Sequence, residues 1–270
     1  MSRKTCLWQR RLTVIAVTLA AFAGDAGSGK SGNPPARGDL DGFITYMTNS
    51  LDAVTARYGY RLVDATPSQV SMVGPGQKAL VWVGNYDKVS CVWQTTDAQI
   101  KYWISTFHLD TSDKVYGYYI ADEPDGSRCS NAPHDIAIRT ALIHRLDPAH
   151  PVTYVVLEHP DQYTLYAGAE DIIGADPYPC HWGAPCDMTK IPDAIAALRA
   201  AGIARYWGVL EAFQDSYYRY PTADELTAMI KQWQASAWSG EQTFAWAWAG
   251  NNLSDHPDLL AVLAKLNSGR

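Results

Sequence analysis

The chain has 270 residues, with 22 lysines and arginines against 28 aspartates and glutamates, which gives a net charge of −6 at pH 7. A negatively charged surface repels the phosphates of nucleic acids and of anionic membranes. The composition therefore argues against both as partners of this chain.

Residues 1–23 have the pattern of a secretory signal peptide. Four basic residues among the first eleven precede an apolar run at 12–22 and the small-residue site Ala-Phe-Ala that ends at Ala23, and this run is too short to span a membrane. Without those four residues, 22 − 4 = 18 basic side chains face 28 acidic ones, a charge near −10. We therefore predict an exported protein that has no membrane association in its mature form.

Residues 24–31, GDAGSGKS, match the phosphate-binding pattern G-x-x-x-x-G-K-[ST]. A working loop of this kind needs a strand before it and a helix after it. Here a signal sequence precedes it and Gly, Pro and Ser follow, so residues 24–41 are interpreted as a flexible linker. Cleavage after Ala23 leaves 270 − 23 = 247 residues, close to the roughly 250 of one (β/α)8 barrel, and the barrel is assigned to 42–270.

Four cysteines remain after the signal: Cys91, Cys129, Cys180 and Cys186. An even number in an exported chain predicts disulfides, and four cysteines leave three connectivities open. Close spacing favours Cys180 with Cys186, which leaves Cys91 for Cys129. A zinc site built from Cys180, His181 and Cys186 is the alternative, which an oxidising compartment disfavours.

From residue 42 onward, short apolar runs alternate with segments of helical periodicity, which favours a closed α/β barrel of eight strands over an open doubly wound sheet. An open sheet would show a glycine-rich dinucleotide motif after an early strand, and none follows here. The predicted strands are 42–47, 61–65, 78–85, 115–123, 152–158, 171–176, 206–211 and 243–249, and the predicted helices are 51–58, 96–107, 133–146, 191–201 and 223–238.

Two of these strands end on a glutamate. Strand four, VYGYYIADEPD, ends at Glu123 just before Pro124, and strand seven, YWGVLEAF, places Glu211 at the end of an apolar run. Catalytic residues of (β/α)8 barrels lie at the carboxyl ends of the strands, so both carboxylates are predicted to face one cleft. The alternative for strand four is that Asp122 and Glu123 only cap the following helix.

At these two motifs the sequence resembles the clan of (β/α)8 retaining glycoside hydrolases, whose acid/base ends strand four and whose nucleophile ends strand seven. The resemblance implies that Glu123 is the acid/base and Glu211 the nucleophile. It also implies that Tyr178, in GADPYPC, bonds the nucleophile, and that Trp246 or Trp248, in FAWAWAGNN, forms the floor of the sugar site. The clan usually has asparagine before the acid/base, whereas this chain has Asp122.

The other strand ends supply two further candidate substrate contacts, Asn85 and Glu158. Ten tryptophans and sixteen tyrosines exceed what a barrel core needs, and aromatic faces with polar edges suit sugar rings. The sequence thus predicts a secreted retaining glycosidase that needs no cofactor and acts on a carbohydrate substrate. The alternative is a secreted carbohydrate-binding barrel without catalysis; an esterase is disfavoured because no G-x-S-x-G motif occurs.

Overall fold

The computed structural model describes residues 42–269. The predicted signal peptide, 1–23, and linker, 24–41, lie outside the described residues. Within residues 42–269, no helix is long and apolar enough to cross a lipid bilayer.

Eight parallel strands close into a barrel, in which each strand pairs with its successor in the chain and the eighth pairs with the first. The predicted (β/α)8 fold is therefore confirmed. The barrel strands are β1 (Ile44–Met47), β2 (Leu62–Ala65), β3 (Lys78–Trp82), β4 (Val115–Asp122), β5 (Thr153–Leu157), β6 (Ile172–Ala175), β7 (Tyr206–Glu211) and β8 (Gly240–Phe244).

Helices cover the outside of the barrel and alternate with its strands. The α-helices are α1 (Asp97–Thr106), α2 (Ala132–Leu146), α3 (Tyr163–Tyr166), α4 (Lys190–Ala200), α5 (Ala223–Gln234) and α6 (Pro257–Ser268). Short 3-10 helices are formed by Ala53–Tyr58, Pro67–Met72, Leu109–Thr111, Pro160–Gln162 and Leu253–Asp255. The segment predicted as a first helix, 51–58, is thus a 3-10 helix.

Helices α1 and α5 begin where the sequence has a threonine followed three residues later by a glutamine or glutamate. The hydroxyl of Thr96 accepts the backbone N–H of Gln99, whose side chain accepts the N–H of Thr96 in return. Thr222 and Glu225 repeat this arrangement at α5. Each capping box satisfies backbone N–H groups that the first helical turn leaves unpaired.

The barrel interior is filled by aromatic rings. Tyr154 packs against Trp207, with ring centroids 4.6 Å apart, and against Tyr46, at 6.1 Å. Glycine makes the room for them: a Cβ atom at Gly174 would overlap the phenol of Tyr154, and one at Gly240 would lie 2.6 Å from the Trp207 ring. This packed interior leaves the carboxyl ends of the strands as the place for a cleft.

The predicted eighth strand, 243–249, was placed too late in the chain. The strand is Gly240–Phe244, and the following residues form a small hairpin in which Ala247–Trp248 pairs with Asn251–Asn252. Glu241 and Thr243 are fully buried in this strand, although both are polar. Periodicity of apolar residues could not detect a strand whose buried positions carry Glu, Gln and Thr.

Both disulfides favoured by spacing are present, Cys91–Cys129 and Cys180–Cys186. The bond between Cys180 and Cys186 occupies the two sulfurs that the alternative zinc site would need as thiolates. Both bridges lie in segments that follow the carboxyl ends of barrel strands.

Candidate functional site

Four acidic side chains converge at the carboxyl ends of neighbouring strands. Asp122 and Glu123 end β4, Glu158 follows β5 and Asp176 follows β6. Asp176 is 2% exposed, and its side chain hydrogen-bonds that of Glu123. The strand ends thus bring Asp176 together with the predicted candidates Asp122, Glu123 and Glu158.

Glu123 is held in this cluster by a strained backbone and by one lysine. Its φ is +48°, in the left-handed region that glycine favours. Its Oε2 lies 3.0 Å from Nζ of Lys88, which is also 3.9 Å from a carboxylate oxygen of Glu158. Lys88 therefore contributes a positive charge between two carboxylates that would otherwise repel each other.

Lys88 was not identified from the sequence. It lies in a hairpin after β3, in which Tyr86–Asp87 pairs with Val92–Trp93. The Cys91–Cys129 disulfide ties this hairpin to the segment between β4 and α2. No sequence motif marks a lysine in such a turn, because its proximity to Glu123 depends on the tertiary placement of the hairpin.

Asp122 and Asn85 hold the end of β4 in position. Asn85 Oδ1 accepts the backbone N–H groups of Tyr86 and Asp122, each at 2.8 Å, so this predicted substrate contact has a structural role here. Tyr119 donates its hydroxyl to Asp122 Oδ1 at 2.7 Å. Burial, together with the negative charge of Glu123, raises the pKa of Asp122 to about 7.

Asp176 carries the most strongly shifted carboxyl of this cluster. Burial first, and then the charges of Glu123 and Asp122, raise its pKa well above the usual value. Burial and the neighbouring negative charges therefore favour the protonated form of the Asp176 carboxyl. The sequence places Asp176 before Pro177 at the end of strand six, but its distance from Glu123 is set by the barrel.

Glu211 lies at the end of β7, as predicted, but its side chain is fully buried. Its Oε2 accepts the backbone N–H of Cys180 at 2.8 Å, and its Oε1 has no hydrogen-bond partner among the described residues. Burial raises the pKa of Glu211 to about 8, although Cys180, Lys190 and Arg219 act in the opposite direction. In this conformation the carboxyl is protonated at neutral pH.

Tyr178 lies close to both glutamates. Burial raises its pKa well above the usual value, and the charges of Asp176, Glu123 and Glu211 add to the effect. Its ring packs edge-on against Phe213 and Tyr218, with centroids 5.0 and 5.3 Å away. Tyr178 thus lines the cleft and packs in a largely aromatic cluster that includes Val209 of β7.

The two candidate floor tryptophans lie in different environments. Trp248 packs against Phe244, with centroids 5.0 Å apart, and belongs to the aromatic cluster of Tyr178, Phe213 and Tyr218. Trp246 instead packs against the outer core and lies 6.2 Å from the ring of Tyr58. Of the two, Trp248 lies with the aromatic residues of the barrel mouth.

A cleft of about 280 Å³ opens beside Asp176. Acidic and aromatic side chains dominate its walls, and one lysine contributes a positive charge. Its lining consists of Glu158, His159, Pro160, Asp176, Pro177, Tyr178, Lys190, Asp193 and Tyr218.

The fold and this site define a (β/α)8 barrel with a carboxylate cluster at the carboxyl ends of its strands. The chain matches no family model and no curated protein, whereas many solved structures share its fold. One is a putative alpha-L-fucosidase from Bacteroides thetaiotaomicron, with a TM-score of 0.57, 9% identity, and coverage of 92% of this chain and 98% of that one.

Two others are similar to a comparable degree. The C-terminal domain of a putative chitinase from Desulfitobacterium hafniense has a TM-score of 0.58 at 9% identity, with 83% of this chain and 99% of that chain covered. An oligosaccharide-binding protein of GH128 from Cryptococcus neoformans has a TM-score of 0.52 at 12% identity, with 87% and 99% covered. At these identities the likeness establishes the shared barrel fold.

Proposed function

We propose that this chain is a secreted retaining glycoside hydrolase that acts on a polysaccharide or an oligosaccharide. The observation that carries the proposal is the carboxyl cluster of Asp122, Glu123 and Asp176 at the barrel mouth, beside a cleft with tyrosine walls. Paired carboxyl groups with unequal proton affinities are what glycosidic cleavage requires. The neighbouring barrels described as a fucosidase, a chitinase domain and an oligosaccharide-binding protein support a carbohydrate ligand.

In this proposal Glu123 is the acid/base. As an acid it protonates the departing sugar oxygen, and as a base it then activates the water that releases the second product. Asp176 and Lys88 both contact Glu123, so in this proposal they influence how readily Glu123 gives up and regains its proton during the reaction. The sugar contacts proposed for the site are Asp122, Glu158, Tyr178, either Trp246 or Trp248, and the amide nitrogen of Asn85, whose Oδ1 accepts backbone N–H groups.

Glu211 is assigned the nucleophile role. Retaining enzymes hold their two carboxyl groups about 5 to 5.5 Å apart, so that one attacks the carbon whose leaving oxygen the other protonates. Glu211 would have to lose its proton and become accessible, because it is fully buried. Movement of Tyr178 and of the segment that carries the Cys180 N–H would expose it.

The second candidate function is carbohydrate binding without hydrolysis. The burial of Glu211, and its pKa of about 8, favour this candidate, because a protonated carboxyl that substrate cannot reach does not attack. The two candidates share the same cleft and the same ligand class. They differ only in whether a glycosidic bond breaks.

Assays of wild type, Glu123→Gln and Glu211→Gln on a panel of neutral glycans would test the proposal. The retaining glycosidase is supported if wild type hydrolyses a glycan and both substitutions abolish this activity. NMR should then show that the first product has the same anomeric configuration as the substrate. Glu170→Gln is the control, since Glu170 lies before β6, at the opposite end of the barrel, and should leave turnover unchanged. Glycan binding without any cleavage would instead establish the binding barrel.

Export is part of the same proposal. The signal-like segment 1–23 and two disulfides in the mature region support it, because disulfides persist in oxidising compartments. Expression with the native first 23 residues should give a secreted product whose amino terminus begins after Ala23.

A further inference from the structure

Two large aromatic side chains are exposed beside the cleft. Trp182 is 54% exposed and Tyr217 is 52% exposed. Within residues 42–269, Trp182 is the one tryptophan whose side chain is largely exposed to solvent. Exposed aromatic residues cost hydration free energy, and where they cluster they often mark a binding surface.

The two residues lie on loops that are bonded to each other. The backbone N–H of Trp182 donates to the carbonyl oxygen of Tyr217 at 3.1 Å, and its indole N–H donates to the carbonyl oxygen of Asp215 at 2.8 Å. His181 forms an antiparallel bridge with Tyr218. The aromatic surface is therefore built from the segments after β6 and after β7 together.

A disulfide and hydrogen bonds from one lysine fix the first of these loops. The Cys180–Cys186 disulfide closes it over six residues, and the side chain of Lys190 lies within 2.8 Å of the carbonyl oxygen of Tyr178 and 2.7 Å of the His181 ring. Side chains on a fixed loop lose little conformational entropy when a ligand binds. Trp182 is therefore held in place before any ligand arrives.

The aromatic surface is continuous with the cleft. Tyr218 lines the cleft, and its ring centroid lies 4.9 Å from that of Tyr217 and 4.9 Å from that of His181. The cleft itself, at about 280 Å³, is slightly smaller than the roughly 300–1,000 Å³ of typical ligand pockets, so it is too small for a long glycan. A longer glycan that fills it would continue over these rings.

We propose that Trp182 and Tyr217 form an aromatic platform that binds sugar units beyond the cleft, so that the ligand of this site is a polymeric glycan. This inference rests on the proposed function and names its substrate class. Glu158 and Asp193 give the cleft two negative charges against the one positive charge of Lys190, so the chain bound there is uncharged rather than a polymer of uronic acids. The platform supplies flat apolar faces, and the peptide groups beside them satisfy their own hydrogen bonds.

The test compares short and long oligosaccharides of the same linkage. Calorimetry would measure the Kd of laminaribiose and laminarihexaose, and of chitobiose and chitohexaose, in a Glu123→Gln background that prevents turnover. For the hexamer that binds, Trp182→Ala and Tyr217→Ala should each raise the Kd about two- to tenfold, as expected for the loss of one aromatic contact. The Kd of the matching dimer should stay unchanged.

Two control variants separate stacking from folding effects. Tyr217→Phe keeps the ring and should bind the hexamer as the background does. Tyr102→Ala removes an equally exposed aromatic residue, 57% exposed on α1, and should have no effect on glycan binding. Thermal unfolding midpoints of all variants would show that each remains folded.

The outcomes distinguish this inference from the proposed function. Hexamer binding that persists unchanged in both platform variants overturns the platform and leaves the proposed function standing. Loss of dimer and hexamer affinity by the same factor also overturns it. A change of oligomeric state in the platform variants, with glycan affinity intact, assigns the rings to self-association. Failure of the parent to bind either hexamer overturns the platform, whereas the hydrolysis assays decide the proposed function separately.

Discussion

Glu211 makes the stability of the fold depend on pH. Burial raises its pKa from 4.5 to about 8, so between these values the folded chain keeps a proton that the unfolded chain has lost. The folded state then binds more protons, and the free energy of unfolding falls as pH rises through this window. From pH 5 to pH 7, two units at about 1.36 kcal/mol each give a loss of at most about 2.7 kcal/mol from this one group.

Urea unfolding of wild type and Glu211→Gln at pH 5 and pH 7 would measure this effect. The variant cannot ionise at this position, so it should lose less stability than wild type over the interval, by up to about 2.7 kcal/mol. Glu225→Gln is the matched control, because the neighbouring Arg219 lowers the pKa of Glu225 to about 2, outside the interval. Equal slopes for wild type and Glu211→Gln would mean that Glu211 is ionised in the folded chain at neutral pH, which contradicts our reasoning.

Two further predictions concern folding. Gly174→Ala should destabilise the barrel by about 1–3 kcal/mol, since its Cβ would overlap the phenol of Tyr154, and a lower thermal midpoint would show it; an unchanged midpoint would mean that the ring does not cover this strand. Replacing Cys91 and Cys129 by serine removes a bridge of 38 residues, worth about 4 kcal/mol by loop entropy, against about 2 kcal/mol for the bridge of six residues. Denaturant titration should therefore rank the first double variant as less stable, and the reverse order would refute the loop-length argument.

Much of the fold could be predicted because the barrel strands carry strong local signals. β4 and β7 are apolar runs that end on Glu123 and Glu211, and both strands occur where they were expected. The prediction placed β8 too late in the chain because Glu241 and Thr243 are polar although buried, so the strand lacks the apolar pattern that buried strands normally show. Local periodicity is informative only when burial and hydrophobicity coincide.

The site could be predicted less completely than the fold. A position at the end of a strand determines where the backbone lies, but it does not determine the conformation of a long side chain. Glu211 shows this limit, since its carboxyl is bonded to the backbone of Cys180 instead of lying open to solvent. Lys88 shows another, because a turn residue distant in sequence reaches Glu123 only through the placement of a hairpin.

The backbone at Glu123 is left-handed, with φ of +48°, and glycine would adopt this conformation with less strain than glutamate. A non-glycine residue in this region costs about 1 kcal/mol or more, so Glu123→Gly should give a chain that withstands heat better than wild type while it lacks the proposed acid/base. The proposed acid/base thus occupies a position whose main chain favours glycine, so in our proposal stability and activity place opposite demands on one residue.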